Sequence, residues 1–182
     1  MTTFRDRLPQ RWEILYVFGG VIFVIYSWSI RGFLYQLSSL RLYHTLGEIF
    51  GVFSYLMAFA LLESLIIITG LVLIGFILPG KWFKEGFAYK GFITTLVTGI
   101  ALIKLHFYLF SLNYAMPPMN VIYLGTGIVI VLLISLLWFF HNTPQLQKFL
   151  LALQERLQIF IYFYIPLGIL GLLVVVLRNL RL

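Results

Sequence analysis

Residues 49–78 read IFGVFSYLMAFALLESLIIITGLVLIGFIL, a run whose only charge is Glu63. A helix rises about 1.5 Å per residue and a bilayer's hydrocarbon core is about 30 Å thick, so about 20 such residues suffice to cross it. Outward from this stretch the pattern repeats. Residues 14–37 form an apolar run preceded by Arg11. Residues 91–112 form another that carries Lys104 and His106, and residues 121–140 and 157–177 supply two more. The chain reads as all-α, a polytopic helical membrane protein of five transmembrane helices in one integral membrane domain over residues 1–182.

Composition agrees. Of 182 residues, 62% are hydrophobic and only 10% charged, where a soluble domain carries about 25% charged residues. That balance excludes a water-soluble globule, a disordered chain and a collagen. There is no cysteine, so disulfides, thiolate metal sites and a cysteine nucleophile are excluded too. The net charge of +7 would suggest nucleic acid on a soluble chain. Here the basic residues gather at the ends of apolar runs, which points to the lipid bilayer as partner and not to nucleic acid. Arg5, Arg7 and Arg11 before the first apolar run resemble a signal peptide, but no A-x-A site follows, so the run reads as a retained first span.

The connectors sharpen the boundaries. Pro79-Gly80 closes the second span, and Pro117-Pro118 leaves a short, uncharged link between the third and fourth. Thr143-Pro144 reads as an N-cap followed by proline at the first helical position. From there Leu146, Phe149, Leu150, Leu153 and Leu157 recur at helical spacing opposite Gln147, Gln154 and Glu155. This predicts an amphipathic helix over about 144–156, with its leucine stripe buried or lipid-facing, that lies on the surface or runs into the last span with any bend near Pro166. Leu34, Leu37 and Leu40 suggest a weaker interfacial stretch. Lys and Arg counts in the short connectors give eight on the N-terminal side (Arg5, Arg7, Arg11, Lys81, Lys84, Lys90, Lys148, Arg156) against four on the other (Arg31, Arg41, Arg178, Arg181). The positive-inside rule then puts the N-terminus in the cytoplasm, the C-terminus opposite, and the protein in a plasma or inner membrane.

Glu63 and Lys104 are the residues with most to explain. A charge near mid-bilayer costs about 2.5–3.5 kcal/mol on insertion scales, so such groups pair or face a cavity. If spans two and three form a hairpin about residues 79–88, each lies sixteen positions from the connector, about 24 Å deep. Equal depth on antiparallel neighbours predicts an ion pair, either a structural bridge or part of a polar path. His106, about 200° around the helix from Lys104, is a candidate haem or pigment ligand, or simply a hydrogen-bonding group in a helix contact. Gly47, Gly51, Ser54 and Ala58 cluster within about 60° as a small-residue seam for close helix packing. Glu63 projects about 150° from the middle of it, which gives the second helix two contact faces. Trp12, Trp28, Trp82 and Trp138 read as an interfacial belt.

No catalytic motif is present: no G-x-S-x-G, H-E-x-x-H, Walker loop or dinucleotide fingerprint. No paired carboxylates share a depth. The expectation is a non-enzyme without cofactor or metal, a noncatalytic integral subunit or scaffold that packs against other membrane proteins or itself as a homo-oligomer. The alternatives are a small transporter or channel built on Glu63 and Lys104, a haem- or pigment-binding subunit through His106, and, least supported, a lipid-directed enzyme.

Overall fold

A computed structural model describes residues 9–77, 86–112 and 117–180. Among these residues every regular element is a helix: α1 Arg11–Tyr43, α2 Leu46–Ile77, α3 Phe87–Ser111, α4 Met119–His141, α5 Pro144–Leu157 and α6 Ile159–Leu180. Five of them, all but α5, are long and apolar enough to cross a membrane. The protein is thus an all-α helical bundle of the integral membrane kind, and the five spans and the short helix before the last one fall where the apolar pattern places them. The Pro79-Gly80 stop, and Arg5, Arg7, Lys81, Trp82, Lys84 and Arg181, lie outside the described residues.

One long helix organises the rest. α1 packs against α2, α3, α5 and α6, whereas α4 packs mainly against α3 and α5. The 33 residues of α1 run about 50 Å, well beyond the hydrocarbon thickness. The stretch of Leu34, Leu37 and Leu40 is therefore no separate interfacial segment; it continues α1 to Tyr43. Two residues turn the chain into α2. Thr45 caps α2 reciprocally with Glu48: the Thr45 N–H donates to Glu48 Oε2 at 2.8 Å and the Glu48 N–H to Thr45 Oγ1 at 3.4 Å, a capping box that satisfies helix-end donors.

Small residues decide how closely α6 approaches α2. A Cβ on Gly171 would come within 2.6 Å of the Ser54 carbonyl oxygen and 3.2 Å of the Ala58 nitrogen. Only glycine permits backbones this close, the same logic as the small-residue motifs of membrane helices. Gly51, Ser54 and Ala58 are all buried, and α6 lies against them. Gly47 lies beyond the contact, exposed and with open space around it. A Cβ on Gly19 of α1 would meet the backbone of Leu157 and Gln158 at 3.2–3.3 Å, at the joint where α5 gives way to α6. The break between them is at Gln158, and Pro166 stays inside α6.

The leucine stripe of α5 is a correction. Leu150 and Leu157 are buried, but so is Gln154, while Phe149 is 64% exposed. At about 100° per residue the buried face is turned about 60° from the stripe. Gln154 donates its Nε2 to the Ala88 carbonyl at 2.9 Å, and Gln147 donates to the carbonyls of Phe140 at 2.8 Å and His141 at 3.1 Å. The amides serve backbone carbonyls that hydrocarbon could not satisfy, and that leaves Phe149 and Leu153 to the surroundings.

Candidate functional site

The contacts fix which residues share a level. Tyr26 donates its hydroxyl to the Met57 carbonyl at 3.4 Å and Phe33 lies 5.1 Å from Phe53, ring to ring; α2 therefore runs antiparallel to α1. Gly99 sits against Val24, and Trp28 packs edge-on to His106 and Phe107 at 5.8 and 6.1 Å. α3 therefore runs parallel to α1. The turn at His44–Thr45, the Pro117-Pro118 link and the end of α6 lie at one end of the bundle, where Tyr55 donates to Asn179 at 3.0 Å. Gln10, Gly86, α5 and the α4–α5 turn lie at the other.

In this frame Glu63 and Lys104 do not pair. α2 and α3 each pack extensively on α1 and little on each other, sharing the core cluster of Val17, Val21, Ile68, Leu71 and Phe87 near the α5 end; beside each, α1 occupies the position the hairpin assigned to the other. Both side chains are exposed. Lys104 shares a stripe with Ile93 and Val97, which pack toward α4 and α5, and lies about 120–160° around α3 from Phe92, Gly99 and His106, though only about 60° from Phe107. Glu63 lies on α2 with Phe59, Leu62 and Ile66, all exposed. Among the described residues the one ion-pair geometry is elsewhere, His44 Nδ1 3.6 Å from Glu48 Oε2 near the α1–α2 turn. Nor do Glu63 and Lys104 lie at equal depth. By the levels above, Lys104 lies on the order of 8 Å nearer the α1–α2 turn than Glu63.

His106 belongs to an aromatic cluster. Its ring stands edge-on to Trp28, and the Arg31 guanidinium lies 5.1 Å from the Trp28 ring centroid and 5.6 Å from that of Phe107. Arg31 is 20 residues from Arg11 along α1, about 30 Å, so the two arginines bracket a hydrocarbon thickness. A cation over aromatic rings at such a boundary is an interfacial anchor. His141, a second histidine of the sequence, is at the opposite end, 3.5 Å from the Tyr89 hydroxyl. Among the described residues no three His, Cys, Asp or Glu side chains gather where they could hold a metal ion.

The sequence reading missed a buried polar group at the α5 end. Glu13, Lys90 and Gln154 are 7%, 6% and 0% exposed. Glu13 accepts the Gln10 N–H at 3.0 Å, the Lys90 ammonium lies 5.6 Å from the Tyr89 ring centroid, and Gln154 Oε1 is buried without a hydrogen-bond partner. Charged residues next to a span boundary read as solvated flanks, and no local signal showed that they would be buried. Compared with protein-family models, curated proteins and solved structures, the chain matches none.

Proposed function

We propose that the protein is a noncatalytic integral membrane subunit or scaffold that works by packing against other membrane proteins. Glu63 carries this reading: a carboxylate near mid-span on an outward apolar face, with no ion-pair partner among the described residues. Ionisable groups at that depth are usually paired or turned to water, so the face is best explained as covered in the assembled state. α4 supports the same view. It has no buried residue, and Gly125 and Gly127 face open space. The transport alternative loses its basis, since a polar path needs Glu63 and Lys104 to converge and they point away from each other. The positive-inside count supports a cytoplasmic N-terminus in a plasma or inner membrane.

Mild solubilisation from its own membrane followed by native mass spectrometry tests this. A stoichiometric membrane-protein complex, of this chain with others or with itself, is the expected result. A protein that is monomeric and alone under conditions preserving known complexes overturns it.

A further inference from the structure

We propose that the protein associates with itself head to tail, the outward face of α2 in one copy docking on the α3–α4 face of the next, with Glu63 and Lys104 paired across the contact. This rests on the subunit reading above and names the partner as a second copy of the chain.

Four observations carry it. The two charges are opposite in sign, both exposed, and not paired with each other inside the chain. They sit on divergent faces of different helices, so one copy cannot satisfy both, whereas a row of copies satisfies each with its neighbour. Their depths differ by on the order of 8 Å, and all copies share one orientation in the bilayer, so that offset carries over from one chain to any two. Finally, side chains on a helix lean toward its N-terminus. The N-terminus of α2 is at the α1–α2 turn and that of α3 at the α5 end. Glu63 therefore leans toward the level of Lys104, and Lys104 leans toward that of Glu63.

The surfaces around the charges suit helix contact. Phe59 and Ile66 flank Glu63 with Gly70 in open space one turn further on. Lys104 lies on the exposed half of α3, and residues 119–128 of α4 are exposed throughout. The contact uses different patches on the two copies, so it is heterologous and builds a ring if the rotation closes, or an open chain if it does not.

Charge exchange tests the pairing. Oligomer size is read in lipid nanodiscs or by single-molecule counting in vesicles, for the full chain, Glu63→Lys, Lys104→Glu and the two combined. Wild type should be oligomeric. Each single exchange should weaken association about tenfold or more by placing like charges together, and the combined exchange should restore it. Thermal unfolding of each variant separates lost association from lost folding. The absence of native cysteine allows a second measurement: Glu63→Cys and Lys104→Cys copies, differently tagged and mixed, should cross-link to each other and not each to its own kind. Self-association that survives Glu63→Lys, or cross-links only between identical positions, overturns the proposal. A wild type that carries a different membrane protein on the α2 face, and no second copy, overturns it while the subunit reading stands. A monomer without any co-purifying protein overturns both.

Discussion

The α1–α2–α6 region and the α3–α4 region are made of equally apolar helices but are assembled differently. In the first, Gly171 of α6 lets its backbone settle on Ser54 and Ala58 and Gly168 leaves room for Tyr26 and Leu61, and Met57, Ala60 and Ile22 are sealed with Tyr26 beneath. In the second, α3 is buried along its first half and open along its second, and α4 is exposed through Ile128, meeting the core by Val129, Leu133, Leu136 and Leu137. Lipid tails are as apolar as leucine, so hydrophobicity alone does not draw membrane helices together; close packing does. Small residues placed opposite small residues make the first region compact. The glycines of α4 have no helix opposite them.

The sharpest way to break this contrast is to put a side chain into the α2–α6 contact. Gly171→Leu should cost about 3 kcal/mol or more, because the new atoms meet the Ser54 carbonyl and overpacking against backbone has little room to relax; thermal unfolding in detergent reads it. A loss below about 1 kcal/mol would mean that the two helices are not locked by close approach. Next in size is Gln154→Ala at the joint between the regions, which removes the bond to Ala88 and leaves a void, at about 2 kcal/mol. Gln154→Met, of similar length, should recover most of that, since it also removes the buried oxygen that has no partner.

A smaller effect is expected where α1 turns into α2. Thr45→Ala removes one half of the capping box and should cost about 1 kcal/mol, measured as a lowered unfolding midpoint. Smallest is Gly125→Leu in α4, the counterpart of Gly171→Leu. With open space around it, the stability of the single protomer should change by less than about 0.5 kcal/mol. If Gly125→Leu instead destabilises the protomer as strongly as Gly171→Leu, the contrast between the two regions fails. If it leaves the protomer intact but disrupts assembly, α4 is an assembly surface.

Some of this was legible without coordinates. The apolar runs pointed to five helices long enough to span a membrane, Thr143-Pro144 marked the start of α5, and the spacing of Gly51, Ser54 and Ala58 put three small residues on one face. Their readability has a common cause: span length, capping and helical periodicity are local, set by about 30 Å of hydrocarbon thickness or by a single turn of backbone. The partner of the seam was not readable. Gly168 and Gly171 stand more than a hundred residues away, and a small residue is common in any membrane helix.

Glu63, Lys104 and Gln154 mark where local rules stop. The sequence by itself determined that two charges lie within the spans and that one face of α5 is leucine-rich and another carries amides. Only the tertiary structure decided that α1 occupies the place beside α2 that the hairpin assigned to α3, and that sends Glu63 and Lys104 to opposite surfaces. It also decided that α5 turns its amides inward. The physical reason is the solvent. In water the apolar stripe of a helix must face the core. At a membrane apolar groups are accommodated by lipid as well as by protein, whereas a carbonyl or an amide finds its partner only inside, so polar groups and close backbone approach set the arrangement.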